Sequence, residues 1–179
     1  GTDTAKKIIQ NSSNNFAATN LELGGKSPMI IFDDADLESA ANGIIAGNFG
    51  ASGQSCVAGS RVIVDKKILK KIIDLISQKS ESIIVGDPEN SNSNLGPLCT
   101  RKQIQKIEKT LKKSIQQGGK IIFGGNKVRG EGNYFEPTLI HCPNNQIETI
   151  KIEMFGPIIS IIDFENEEEA INIANSSKY

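Results

Sequence analysis

Pro28-Met29-Ile30-Ile31-Phe32 is an unbroken apolar run that stops at Asp33-Asp34. A strand with one wet face alternates apolar and polar residues. A run that is apolar throughout suits a strand covered on both faces, as in a parallel sheet. Asp34, Asp36 and Glu38 follow at once and favour a helix start, where negative charge meets the helix dipole. That helix runs to about Phe49. The same succession recurs down the chain. Arg61 to Asp65 reads as a strand, and Lys66 to Ser80 as a helix with Ile68, Leu69, Ile72, Ile73, Leu75 and Ile76 at helical spacing. Ile83-Ile84-Val85 is a short apolar stretch stopped by Gly86-Asp87-Pro88, and a Pro/Asn/Ser loop containing Leu95-Gly96-Pro97-Leu98 follows. A further helix spans roughly Arg101 to Gln117, closed by Gly118-Gly119, before a strand at Lys120 to Phe123. Phe135 to His141 reads as extended, Ile147 to Ile152 is ambiguous, and Gly156-Pro157 introduces an apolar strand from Ile158 to Phe164. A helix over Glu167 to Ser176 ends the pattern. Upstream, Thr4 to Asn11 reads as a short helix and Ala18 to Leu23 as a strand ended by Gly24-Gly25. Strands and helices in turn predict an α/β fold with a mostly parallel sheet flanked by helices. There is no internal repeat, no Gly-x-Gly-x-x-Gly and no Walker-type loop.

The chemistry-bearing stretch runs from Asn48 to Arg61. Cys56 sits there among Gly, Ala and Ser, in Gly53-Gln54-Ser55-Cys56-Val57-Ala58-Gly59-Ser60. Small neighbours leave the sulfur little bulk to hide behind, and glycine frees the backbone to approach a reacting atom. Such a thiol suits a nucleophile, whose reactive form is the thiolate. The alternative is a small buried hydrophobe, the usual state of a free cysteine. The other cysteines are Cys99 and Cys142. An odd count at wide spacing is no disulfide framework and points to a reducing, cytoplasmic setting. Cys56, Cys99, His141 and Cys142 could be read as metal ligands, but no Cys-x-x-Cys pair supports this. His141 is the lone histidine. A papain-like pairing with Cys56 is conceivable, yet its place before Pro143 at a strand end suits a loop or surface role.

The 20 basic and 21 acidic side chains leave a net charge of −1, which argues against a nucleic-acid or membrane-surface partner. Trp is absent and aromatics are 5%, so base-stacking platforms are not expected either. No apolar run approaches the length of a membrane span. Gly1-Thr2-Asp3-Thr4 is no signal peptide, and without an initiator Met the 179 residues are expected to be processed or cut from something longer.

Three stretches in order, Leu21-Glu22-Leu23-Gly24-Gly25-Lys26-Ser27-Pro28, Gly53 to Arg61 and Glu153-Met154-Phe155-Gly156-Pro157, resemble the aldehyde dehydrogenase superfamily. The intervals fit its hydrolytic members: 34 positions from Glu22 to Cys56 and 97 from Cys56 to Glu153. The resemblance extends over essentially the whole chain and implies a catalytic-domain-like fold. It assigns residues 1–20 to the end of the cofactor-binding domain and residues 21–179 to a catalytic domain incomplete at its C-terminus. It implies oxidation of a small aldehyde to a carboxylic acid with NAD or NADP. Cys56 would be the nucleophile and Glu22 the general base for water, which favours a non-acylating enzyme over one that transfers the acyl group to coenzyme A. Glu153 would hydrogen-bond the nicotinamide ribose, Phe155 would pack near the ring, and Leu23 falls in the same cofactor-binding group. Gln103 and Lys106 match positions that approach that ribose in some members; read alone, they are solvated residues of a helix. Gly1-Thr2-Asp3-Thr4 resembles a turn that opens a helix near the cofactor pyrophosphate. Full family members are more than twice this length, so this chain resembles their middle. That implies an excised piece, the product of a broken gene or part of a longer protein, and leaves a non-catalytic folded remnant as the alternative. Apolar surface left without the partner domain would drive association, so a homo-oligomer is expected.

Overall fold

The computed structural model describes residues 1–179. In chain order the elements are α1 (Thr2–Ser12), β1 (Pro28–Ile31), α2 (Leu37–Phe49), β2 (Arg61–Asp65), α3 (Leu69–Ser80), α4 (Arg101–Gln116), β3 (Lys120–Phe123), β4 (Thr138–His141), α5 (Glu148–Lys151), β5 (Ile158–Phe164) and α6 (Glu167–Asn175), with a 3-10 turn at Gly50–Gly53. The five strands form one sheet in the order β1-β2-β5-β4-β3. The pairs β1–β2, β2–β5 and β5–β4 are parallel, and only β3 runs antiparallel, against β4. The expected α/β architecture with a mostly parallel sheet is what forms.

Strand composition explains the layering. Side chains alternate across a strand, so Ile63 on β2 and Ile158, Ile162 and Phe164 on β5 face one way. There they join Ile104, Ile107 and Leu111 of α4 and Ala170 and Ile173 of α6. Val62, Val64, Ile159 and Ile161 face the other way, against Ala41 and Ile44 of α2 and Ile72 and Ile76 of α3. Two apolar faces on the central strands therefore require helices on both sides. Each fully buried Ile or Leu contributes about 1.5–3 kcal/mol relative to exposure.

Helix starts are set by side chains that satisfy otherwise orphaned backbone donors. The Asp36 carboxylate accepts from Ser39 N at 2.7 Å, Thr100 accepts from Gln103 N, and Asn166 accepts from Glu169 N. At the end of α4, Gly118 takes φ +101° and Gly119 N donates back to Ser114 O at 2.8 Å. This is the conformation a left-handed helix end requires and glycine gives freely.

Two expectations fail. Ala18 to Leu23 is not a strand; residues 17–27 form no regular element, and Glu22 and Leu23 are exposed. A strand exists only where a partner completes its ladder, and none runs beside this segment. The short apolar stretch Ile83 to Val85 contributes a single bridge, Val85 to Leu95. The run at Pro28 forms its strand, but at the sheet edge, and Pro28 to Ile31 are only partly covered. The ambiguous stretch at Ile147 resolves into the short helix α5.

Candidate active site

The three motifs lie far apart in sequence, yet each immediately precedes a strand: Gly24-Gly25-Lys26 before β1, Cys56 before β2, and Glu153 to Pro157 before β5. These strands are adjacent and parallel. All three loops therefore emerge at the same edge of the sheet, at its amino ends. Open α/β sheets usually bind ligands at the carboxyl ends, so the site here occupies the opposite edge.

The loops meet backbone to backbone, through glycine. A Cβ on Gly25 would lie 3.2 Å from the Cys56 carbonyl oxygen, one on Gly53 2.1 Å from Gly156 O, and one on Gly24 2.0 Å from Glu153 Oε2. Gly25 N donates to Glu153 Oε1 at 3.2 Å. The carboxylate of Glu153 is thus seated on the Gly24–Gly25 turn, on the same segment that touches Cys56.

The thiol of Cys56 is exposed. The chain reaches it through a strained turn: Ala51 (φ +49°), Ser52 (φ +55°) and Gly53 (φ +69°) are consecutive left-handed residues. Phe155 opposite them has φ +47°. Each non-glycine residue so held costs roughly 1–3 kcal/mol and persists only where surroundings enforce it. Here Ser52 Oγ donates to Gly96 O at 3.0 Å, and Gln54 Oε1 accepts from Cys99 N at 2.9 Å. The Leu95–Leu98 turn thereby grips the outside of the Cys56 loop. Asn48 closes its base, donating to Ile44 O at 2.7 Å and Gly59 O at 3.1 Å.

Glu22 is exposed and makes no hydrogen bond within the chain, and Leu23 beside it is also exposed. Gln103 and Lys106, on α4, turn toward the Glu153 segment: Gln103 Nε2 donates to Met154 O, and Lys106 Nζ donates to Glu153 O at 2.7 Å. A cleft of about 620 Å³ opens beside them, lined by Glu153, Lys106, Gly24 and the start of α1 at Thr2 to Thr4. The structure thus brings Cys56, Glu153, Gln103, Lys106 and the Gly24–Gly25 turn together. His141 is elsewhere. It ends β4 at the carboxyl edge and pairs with Asp163 at 3.2 Å, so the papain-like arrangement is absent. Cys142 is buried, with Sγ 3.5 Å from Thr149 Oγ1, and burial pushes its thiol up to about 11.

Sequence reasoning passed over Lys26, Ser60 and Arg61. Lys26 is 2% and Arg61 1% exposed. Lys26 Nζ donates to Ser60 Oγ at 3.0 Å and Ser60 O at 3.3 Å. The Arg61 guanidinium donates to Lys26 O at 3.1 Å and, at 2.7 Å each, to Ile173 O and Ala174 O in the last turn of α6. The available signal was a cation adjoining an apolar strand on each side: Lys26 before β1 and Arg61 heading β2.

The model of the aldehyde dehydrogenase family matches residues 1–179. This chain belongs to that family. Among relatives, the (Z)-2-((N-methylformamido)methylene)-5-hydroxybutyrolactone dehydrogenase of Acinetobacter baylyi is 44% identical, over 100% of this chain and 37% of its own length. The betaine aldehyde dehydrogenase of Agrobacterium fabrum is 37% identical over 98% of this chain and 36% of its own. The chain thus spans little more than a third of the relatives it matches. Among solved structures, a betaine aldehyde dehydrogenase from Staphylococcus aureus in complex with NAD+ has TM-score 0.94 at 36% identity, covering 100% of this chain and 36% of that one. A 3,6-anhydro-L-galactose dehydrogenase in complex with NADP has TM-score 0.95 at 34% identity, covering 99% and 38%. The aldehyde dehydrogenase fold thus accounts for the mostly parallel sheet and its amino-edge loops.

Proposed function

We propose that this chain carries the nucleophile and part of the cofactor site of an NAD- or NADP-dependent, non-acylating aldehyde dehydrogenase. The observation that carries the reading is the meeting of an exposed Cys56 with the Gly24–Gly25 turn on which Glu153 is seated. The Cys56 thiolate attacks the aldehyde carbon, and the carbonyl oxygen becomes an oxyanion that the Cys56 backbone N–H helps hold. A bound nicotinamide supplies the hydride acceptor. Cys56 would then carry the acyl group as a thioester once that acceptor had taken the aldehyde hydrogen as hydride. Glu22 takes a proton from water, which attacks the thioester and releases the carboxylic acid and the Cys56 thiolate.

The residues present fit such a cofactor. The absence of a side chain at Gly24 lets the Glu153 carboxylate seat against the turn, and that carboxylate offers acceptors beside an open cleft, suiting vicinal ribose hydroxyls. Gln103 and Lys106 hold the Glu153 segment by its backbone, and Phe155 and Leu23 add partly exposed apolar surface near it.

Residues 1–20 go with the cofactor-binding part and 21–179 with the catalytic part. In support, α1 buries only Ala5, while Ile8 and Ile9 stay about half exposed. The same uncovered apolar surface favours self-association. The substrate is a small aldehyde. Because the chain spans about 37% of its relatives' length, aldehyde oxidation is proposed for the whole protein. The 179 residues alone are expected to give little NAD-dependent turnover, since sulfur, aldehyde and nicotinamide must be held together. Robust oxidation by the isolated chain would refute that second statement. For the nucleophile, the test is hydrolysis of 4-nitrophenyl acetate, which needs no hydride acceptor. Cys56→Ala abolishes it if the reading is right; unchanged hydrolysis overturns it.

A further inference from the structure

We infer that Lys26 is a positioning residue: through Ser60 it fixes the Cys56 loop against the Gly24–Gly25 turn, so that one buried clasp sets the spacing of nucleophile and Glu153. The inference rests on the reading of Cys56 as nucleophile and adds to it a residue that touches neither substrate nor cofactor.

The geometry is a closed circuit. Gly25, next to Lys26, contacts the Cys56 carbonyl and holds Glu153 through its N–H. The Lys26 side chain runs the other way, into the interior, and ends on Ser60, four residues past Cys56, at both the hydroxyl and the carbonyl. Ser60 O also accepts from Ser160 N of β5 at 3.1 Å. Arg61 then returns to Lys26 O and anchors to the α6 carbonyls, where a cation meets the negative helix end. Neither Lys26 nor Arg61 has a carboxylate hydrogen-bonded to it. A buried cation without an ion-pair partner is costly, and a chain needing only packing would fill this place with an apolar side chain.

Burial brings the Lys26 ammonium down to about 7. Arg61 of β2 and Lys106 of α4 push in the same direction and Glu153 opposes it, while Cys142 beyond β4, its thiol pushed up to about 11, is uncharged in this range. Both protonation states of an amine can donate to two acceptors, so the clasp does not depend on the charge.

The test uses Lys26→Met, Ser60→Ala and the double variant. The first readout is amide hydrogen exchange, which needs no turnover. In Lys26→Met, exchange at Ser60 and Arg61 rises at least tenfold while Ile161 and Ile162 of β5 stay as in the parent. The double variant exchanges no faster than Lys26→Met alone, because both changes cut one connection. Unchanged exchange at Ser60 and Arg61, or an equal rise in β5, overturns the inference. Should Lys26→Met fail to fold, Ser60→Ala removes the hydroxyl half of the clasp and a smaller rise confined to Ser60 and Arg61 is expected; no rise there, or an equal rise in β5, overturns the inference. The second readout separates positioning from general loosening. With 4-nitrophenyl acetate, kcat falls at least tenfold with KM within twofold, while alkylation of the exposed Cys56 by iodoacetamide stays within twofold. Parallel loss of alkylation and kcat overturns it. If Cys56→Ala cleaves the ester normally, the nucleophile assignment fails by itself, and the exchange data still decide whether the clasp exists.

Discussion

Cys56 and Cys142 are the same side chain in two opposite surroundings. Cys56 stands exposed on a turn entered through consecutive left-handed residues, gripped by the 95–99 turn, Asn48 and the Lys26–Ser60 pair. Cys142 lies in the core between β4 and α5, among Ile140, Ile147 and Ile150. The first region stores backbone strain and leaves its thiol open; the second relaxes its backbone and closes its thiol off. Exposure of the thiol is therefore a property of the loop, and it comes with left-handed conformations at Ala51, Ser52 and Phe155.

The widest separation is expected in alkylation. With its thiol pushed up to about 11 by burial, Cys142 is about one part in a thousand thiolate at pH 8. Mass mapping after brief iodoacetamide treatment should label Cys56 and leave Cys142 unmodified; equal labelling would break the comparison. Next is Gly53→Ala, which must place a Cβ 2.1 Å from Gly156 O at φ +69°. Overpacking and left-handed strain add to a loss of about 3 kcal/mol or more, read by urea unfolding. A loss below about 1 kcal/mol would mean that the loops are not in backbone contact.

Lys26, buried near both regions, gives a pH signature. Its folded pKa is lowered, to about 7, below the unfolded value near 10.5. Between these the unfolded chain holds the extra proton, so this group makes stability rise with pH from about 7 to 10.5, by at most about 1.4 kcal/mol per pH unit. Below pH 7 both states are protonated and the full penalty remains. Lys26→Met should flatten that slope; an unaltered slope would place its origin elsewhere. The smallest contrast is between the two cysteine truncations. Cys142→Ala should cost about 1 kcal/mol through a small cavity, and Cys56→Ala should stay within about 0.5 kcal/mol. Thermal melting of both variants side by side would expose a reversal.

Much of this was legible in advance. The strand at Ile158 to Phe164 and the start of β2 at Arg61 follow from apolar runs bounded by glycine, proline and charge. The helix start at Asp36 follows from local charge, and the structure adds that its carboxylate caps Ser39 N three residues on. Ala18 to Leu23 misled because it has strand composition without a strand to pair with. Pro28 to Ile31 misled because apolar content does not reveal whether a strand is central or at an edge.

The sequence by itself determined the alternation of strand and helix and the family, and it singled out Glu22, Cys56 and Glu153 as candidates, since these are carried by local composition and motif. Only the tertiary structure decided that the motifs meet at the amino edge of the sheet, that Gly25 and Gly53 bring loop backbones into contact while Gly24 seats the Glu153 carboxylate, and that Lys26, Ser60 and Arg61 bind them from inside. Those contacts join residues up to 128 positions apart, and neither periodicity nor spacing in one dimension specifies which loops parallel strands will deliver to one edge.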